Sequence, residues 1–132
     1  MIGFTYNEIK KESLGNHMVK NLTHHPVVIY KNGSVFRIIE PEGPVPRCNE
    51  ERVQVGEIDE IPFTNTRFGI VQDLPEKKEG VFLIVSPIVA NALPERDDLL
   101  VPDNLVRDEQ GNIIGCRALA RVSWWGCEKF PW

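Results

Sequence analysis

The sequence predicts an α+β fold in which β-structure dominates, built as a bent antiparallel sheet or a small barrel with one or two short helices. Most apolar runs are short and are separated by glycine or proline. Only one segment carries a clear helix start signal, and 132 residues can bury a core as one domain without disulfides. We expect an N-terminal extension over residues 1–17, because MVKNLTHHPVV at Met18 resembles a natural start, and one β-rich ligand-binding domain over residues 18–132.

The first predicted element of the domain is a β-hairpin. Val27–Tyr30 and Val35–Ile39 are rich in β-branched residues and flank Asn32-Gly33. Asn-Gly favours a type I′ turn, in which both central residues need positive φ. Three prolines within residues 41–46 then predict the end of the strand and an exposed loop.

Three further strands are predicted in the middle of the chain. Val53–Ile58 alternates apolar and polar residues, which is typical of a half-buried strand, with a bulge near Gly56. Ile61–Val71 is rich in β-branched and aromatic residues and predicts another strand or a pair of strands. Val81–Val85 is continuously apolar, which predicts a central strand buried on both faces. Residues 74–80 are expected to form a solvated turn between the last two of these strands.

A short helix is predicted next. Ser86 is a favourable N-cap, Pro87 fits the first helical turn, and Pro94 ends a helix over about Ile88–Leu93. A brief apolar run over residues 99–101 is expected to end at the proline that follows it.

The last predicted element is a hairpin over Leu105–Arg121, with Gly111-Asn112 in its turn. We expect it to bring Arg107, Arg117 and Arg121 close together on a rigid support. Arginine suits phosphate or carboxylate because its planar fork binds two oxygens at once. The alternative is an exposed strand face whose arginines pair with neighbouring acidic residues.

The candidate ligand-binding site joins these arginines to Arg96 and to a second group at the end of the buried strand. In that group an aromatic ring could stack on a base and an amide could read the edge of the base. The alternative places Phe82 in the core and Asn91 in solvent. The predicted ligand-binding residues are Phe82, Ser86, Asn91, Arg96, Arg107, Arg117 and Arg121.

Composition limits the classes of function. The net charge of -4 argues against a protein that binds long nucleic acids. Three widely spaced cysteines fit a reducing compartment, and no run predicts a membrane span or a secretory signal, so we expect a cytoplasmic protein. His24 and His25 are adjacent and would face opposite sides of a strand, so no metal site or other cofactor is expected.

No set of catalytic residues is apparent, and we expect a binding protein rather than an enzyme. One alternative is a small nucleotide or amide hydrolase that uses Cys116, or an acidic residue such as Asp97 or Asp98. Another is a protein-interaction domain that associates through its aromatic tail, since tryptophan is enriched at interfaces. The tail aromatics are Trp124, Trp125, Phe130 and Trp132.

Three segments resemble a family of small bacterial and phage proteins. They read NLTHHPVVIY (21–30), FGIVQDLPEKKEGVFLIVSPIVANALPERDDLLVP (68–102) and VRDEQGNIIGCRALAR (106–121). The family shares an opening similar to NLTPHPV and a closing similar to VRDxxGxIIGCRAL, and the resemblance covers residues 18–121. This chain has His24-His25 where a proline–histidine order is more usual.

In size, β-rich pattern and phage setting that family is similar to the Thoeris anti-defence 1 proteins. These phage proteins bind a cyclic ADP-ribose signal made by TIR-domain enzymes, hold it intact and act as oligomers. The resemblance implies a cytoplasmic sponge, a dimer or larger homo-oligomer in a bacterial host, for a cyclic ADP-ribose isomer or cyclic oligonucleotide. Arginines would then neutralise the pyrophosphate, and Phe82 would stack on adenine.

Overall fold

The structure, a computed structural model, describes residues 17–122, which form eight strands and one short helix. The elements in chain order are β1 (Met18–Asn21), β2 (Val27–Lys31), β3 (Ser34–Ile39), β4 (Arg47–Ile58), β5 (Ile61–Gln72), β6 (Val81–Ile84), α1 (Pro87–Ala92), β7 (Leu99–Arg107) and β8 (Ile113–Arg121). The β-dominated fold class is confirmed. The expectations for residues 1–16 and for the aromatic tail, residues 123–132, lie outside the described residues.

Six strands form one mixed sheet in the order β1-β6-β7-β8-β2-β3. The pairs β1–β6, β6–β7 and β2–β8 are parallel, whereas β7–β8 and β2–β3 are antiparallel. The two edges of the sheet meet where Asn21 bridges Pro41, and the Glu42 amide donates to the Asn21 carbonyl at 2.8 Å. Of the two expected architectures, the nearly closed small barrel is the one observed, with a mixed sheet.

Two apolar clusters hold this barrel together. Every strand of the barrel contributes to the inner cluster, whose buried members are Val27, Ile39, Ile84 and Cys116. The outer cluster packs α1 against β6 and β7, with Leu83, Val85 and Val89 at its centre. Neighbouring residues of β6 therefore point into different clusters, which confirms the prediction of a central strand buried on both faces.

Local turn signals specify the predicted hairpin and helix. β2 and β3 pair around Asn32 and Gly33, which have φ of 55° and 81°, so the type I′ hairpin is confirmed. Ser86 caps α1 by accepting a hydrogen bond from the Val89 amide, and Pro87 is the first helical residue. The predicted helix is confirmed, although it ends at Ala92.

The brief run predicted before Pro102 is wrong, because β7 continues through that proline to Arg107. On one side of β7, Pro102 pairs with Leu119 of β8. On the other side, β6 pairs with β7 only at Leu99 and Leu100. Beyond residue 100 the other side of β7 is therefore an open edge among the described strands. Proline lacks an N–H donor, and an open edge is the position where a strand tolerates that loss.

β4 and β5 form a separate two-stranded sheet that projects as an arm, and the expectation of a half-buried Val53–Ile58 strand is wrong. Every residue of β4 from Asn49 onward is exposed. The predicted bulge near Gly56 is confirmed, because the register shifts between Gln54 and Gly56. Ile61–Val71 lies within the single strand β5, so the prediction of a strand there is confirmed. Within the described part of the chain, no helix is long and apolar enough to cross a membrane.

Candidate ligand site

An open cavity of 380 Å³ lies at one end of the barrel, beside the start of β6 and the end of β8. Its volume falls within the range of about 300–1,000 Å³ that small-molecule sites usually have. Phe82 and Arg121, both predicted as site residues, line it. The full lining is His17, Lys77, Lys78, Glu79, Gly80, Val81, Phe82, Asp97, Asp98 and Arg121.

Two rings form the aromatic side of the cavity. The Phe82 ring lies 5.5 Å from the His17 ring, centroid to centroid, at a tilt of 58°. Phe82 is only half-buried, because it lies opposite Val19 near the open end of the β1–β6 pair. One of its faces can therefore contact a ligand, as an aromatic base-stacking surface requires. His17, assigned from sequence to the extension, is part of this wall.

Charged groups of both signs form the other side, three basic and three acidic. Lys77 is paired with Asp97 at 2.5 Å, and both side chains are about half exposed. The pKa of Asp97 lies below its ordinary value, chiefly because Lys77 donates a hydrogen bond to it, and the charges of Lys77 and Arg121 act in the same direction against desolvation. Arg121 therefore lies near Asp97, but within residues 17–122 it forms no ion pair.

Arg96 lies beside this cavity and is already engaged. Its guanidinium donates to both carboxylate oxygens of Asp98 at 2.8 Å, and to the Pro75 carbonyl at 3.1 Å. The Asp98 side chain is 4% exposed and that of Arg96 20%. The hydrogen bond with Asp98 raises the pKa of Arg96. The hydrogen bond to Pro75 connects the turn before β6 to the loop before β7. Arg96 therefore does not line the cavity itself but holds Asp98, which does.

Replacing Arg96 with methionine is expected to lower the free energy of unfolding by about 2 kcal/mol, because the Asp98 carboxylate is then buried without this partner. Urea unfolding followed by circular dichroism measures the change. Arg107→Met is the control, since Arg107 is exposed and contacts only the turn, and its cost is expected to stay below about 0.5 kcal/mol. Equal losses in the two variants would contradict the role given to the Arg96–Asp98 pair.

The structure does not gather the predicted arginines into one cluster. Arg107 lies at one end of the β7–β8 hairpin, opposite Ile113, and Arg121 lies at the other end, opposite Leu100. Leu100 and Arg107 are seven residues apart on β7, so Arg107 and Arg121 are separated by about 23 Å along the hairpin. Arg117 lies four residues from Arg121 on β8, about 13 Å away. The hairpin itself is confirmed, but the expectation that it brings these arginines close together is wrong, because they are distributed along its length.

Arg107 and Arg117 instead contact the hairpin that carries them. Arg107 donates to the Gly111 carbonyl at 2.8 Å, and Arg117 donates to the Leu105 carbonyl at 3.3 Å. Ser86 caps α1, and Asn91 is exposed on that helix. None of these four lines the cavity. Their assignment as ligand-binding residues stays a prediction without geometric support.

The groups considered for nucleophilic catalysis are poorly placed for it. Cys116 is 1% exposed in the inner cluster, and burial raises the pKa of its thiol, which disfavours the reactive thiolate. Asp98 is held by Arg96, and the low pKa of Asp97 makes it a poor proton donor near neutral pH. Residues 17–122 contain no group of three His, Cys, Asp or Glu side chains that could hold a metal ion.

Sequence reasoning missed His17, Lys77 and Lys78 as members of the site. The two lysines lie in the segment 74–80, which by composition is an ordinary solvated turn. They reach Arg121 because β7 and β8 follow β6 in the sheet, an order that local sequence does not encode.

Comparisons with known proteins add no relative. No protein-family model matches the chain, and no curated protein or solved structure matches it significantly.

Proposed function

We propose that the protein binds an anionic, nucleotide-like small molecule in the cavity lined by Phe82 and Arg121 and holds it without cleaving it. The observation that carries this proposal is that the half-buried Phe82 ring lines one open cavity with three cationic side chains, of which Arg121 forms no ion pair within residues 17–122. The cationic side chains are Lys77, Lys78 and Arg121, and the acidic ones of the same lining are Glu79, Asp97 and Asp98. Aromatic rings stack on bases, and cationic side chains bind phosphate through charge-assisted hydrogen bonds. In this arrangement Phe82 contacts the base and Arg121 the phosphates.

The proposed ligand is a cyclic nucleotide immune signal, either a cyclic ADP-ribose isomer or a cyclic oligonucleotide. The proposed role is anti-defence of the phage type, in which a homo-oligomer in the cytoplasm of a bacterial host sequesters the signal. It draws on the resemblance in sequence and on the cavity chemistry. A hydrolase is the rival, and the burial of Cys116 and the pairing of Asp98 with Arg96 weigh against it.

Calorimetric titration with cyclic ADP-ribose isomers and cyclic oligonucleotides tests the proposal. We expect saturable binding of at least one of them, and mass spectrometry of the ligand released by heat should recover it intact. Recovery of a cleavage product would favour the hydrolase. Failure to bind any ligand of this panel would overturn the proposed function.

Replacing Arg121 with glutamine is expected to weaken binding of that ligand by about 10- to 100-fold, since a hydrogen bond to a charged group contributes about 1.5–3 kcal/mol. Arg117→Gln is the matched control on the same strand, because Arg117 lies outside the cavity. Calorimetry of both variants at one salt concentration gives the comparison. If the affinity for the ligand is unchanged in Arg121→Gln, the ligand does not bind in this cavity.

A further inference from the structure

Within residues 17–122, neither strand of the projecting arm formed by β4 and β5 has a partner on its outer side. Each strand has twelve residues, so the arm is about 40 Å long. Only Cys48 and Val71, at its base, pack against the outer cluster of the barrel. A two-stranded sheet alone is marginally stable in water, and a third strand or a packing surface usually stabilises it.

The two outer edges of the arm are unequal. β4 has a bulge near Gly56 and five charged residues, a composition that discourages pairing with another chain. β5 has one charged residue, Arg67, and it pairs without a bulge from Ile61 to Phe68, because its own extra residue follows Phe68. Open edges of this second kind are templates for strand addition. The charged residues of β4 are Arg47, Glu50, Glu51, Arg52 and Glu57.

A proline shows which residues of β5 direct backbone groups toward the open edge. Pro62 lies opposite Glu57, and because proline has no N–H this must be a non-hydrogen-bonded pair of the ladder. The Pro62 nitrogen therefore faces outward. Alternation along the strand then directs the N–H and C=O groups of Thr64, Thr66 and Phe68 outward as well.

We propose that a second copy of this chain pairs with β5 in antiparallel orientation, with the twofold axis at Thr66. Thr66 then lies opposite its own counterpart, and Thr64 lies opposite the counterpart of Phe68. Arg67, the only charged residue of β5, lies opposite Asn65, so this register opposes no like charges. The two arms join into a four-stranded sheet that spans the dimer.

One exposed apolar side chain of β5 fits the same register. Phe68 is 42% exposed and lies opposite the counterpart of Thr64, once on each side of the axis. Ile70, which is 86% exposed, lies beyond the register shift that places an extra residue in β5 after Phe68, so the paired segment ends there. A second copy is favoured over an unrelated strand because a twofold axis brings each of these contacts in twice. The inference rests on the self-association within the proposed function and is independent of the ligand.

Sedimentation equilibrium of the full chain tests this dimer. We expect a mass of twice 15.0 kDa, which falls to the mass of a single chain on dilution. Thr66→Lys places two like charges on the axis and is expected to weaken dimerisation by about tenfold or more. Gln54→Lys is the matched control. Gln54 pairs with Thr64, so this substitution adds the same charge to the same face of the arm, but on β4, which is not in the proposed interface. Circular dichroism establishes that both variants are folded.

Cross-linking provides a positive signal. Cα atoms in a hydrogen-bonded antiparallel pair lie about 5.5 Å apart, which a disulfide can span. Thr66→Cys is therefore expected to form a covalent dimer under mild oxidation, whereas Gln54→Cys and the unaltered chain are not. Thr66→Pro is expected to reduce dimerisation as Thr66→Lys does, because it removes an outward N–H while leaving the β4–β5 ladder intact.

Three results would overturn the inference. One is a mass of a single chain at every concentration. Another is an unchanged dimer in both Thr66→Lys and Thr66→Pro. The third is a dimer that disappears only when the chain ends at Val122, since the interface would then belong to residues 123–132. Loss of ligand binding in Arg121→Gln with an intact dimer leaves this inference standing and bears on the ligand alone.

Discussion

Replacing Asn21 with leucine is expected to lower the free energy of unfolding by about 4 kcal/mol. Asn21 has no exposed surface, and its amide nitrogen donates to the Ile39 carbonyl at 2.9 Å and the His25 carbonyl at 2.8 Å. Its side-chain oxygen accepts from the Thr23 amide at 2.9 Å and from the Thr23 hydroxyl. Leucine has a similar size but leaves the Ile39 carbonyl and the Thr23 amide without this partner, whereas the His25 carbonyl still accepts from the Thr23 hydroxyl at 3.0 Å. Each buried unpaired group costs about 1–3 kcal/mol.

Chemical unfolding of Asn21→Leu and of Asn91→Leu measures this contribution. Asn91 is exposed on α1, so the same substitution there is expected to change stability by about 0.5 kcal/mol or less. Because Asn21 lies where the two edges of the barrel meet, the loss should also increase amide hydrogen exchange near Pro41. If the free energy of unfolding changes as little in Asn21→Leu as in the control, then water satisfies the groups that lose their partner, and the role given to Asn21 is wrong.

Replacing Gly115 with alanine is expected to destabilise the protein by about 3 kcal/mol, at the upper end of what an added methylene costs in a packed site. A Cβ at residue 115 would lie 2.7 Å from the Val28 carbonyl oxygen and 2.5 Å from the Tyr30 ring. The ring can turn away, but the carbonyl belongs to β2, which pairs with β8 at Ile29 and Cys116. The substitution therefore pushes two strands of the barrel apart.

Gly56→Ala is the matched control for Gly115→Ala. A Cβ at residue 56 meets nothing within 4 Å, and the backbone there does not have the positive φ that favours glycine. Thermal and urea unfolding should show little change in the control and a clear loss in Gly115→Ala. Equal stabilities would mean that β2 can shift without cost, which would contradict the tight approach of β2 and β8.

Part of the site could be predicted from the sequence. Phe82 was predicted within a group at the end of the buried strand, because an aromatic face there could stack on a base, with a place in the core as the alternative. Arg121 was identified as an arginine on a predicted strand. Both line the cavity. The expected clustering of Arg121 with Arg107 and Arg117 was wrong, because spacing along a strand specifies a face but not the separation of side chains that lie at opposite ends of a hairpin.

Burial of polar residues was invisible in the sequence. Asn21 and Asp98 are of residue types that usually lie at the surface, and both are buried because hydrogen bonds and an ion pair satisfy them. The opposite error occurred in the arm, where the alternation of Val53 and Val55 predicted half-burial. Alternation shows that one face is apolar, but it does not show that anything within the chain covers that face.

The sequence by itself determined the elements whose conformation depends on a few adjacent residues. Asn32-Gly33 specified a hairpin through its positive φ angles, Ser86-Pro87 specified a helix start, and the run of Val81–Val85 specified a central strand. Only the tertiary structure decided which elements meet: the near-closure of the barrel at Asn21, the open edge that tolerates Pro102, and the cavity that joins residues 17, 77 and 121. The reason is that backbone preferences act within a few residues, whereas sheet order depends on contacts between residues that are far apart in the chain.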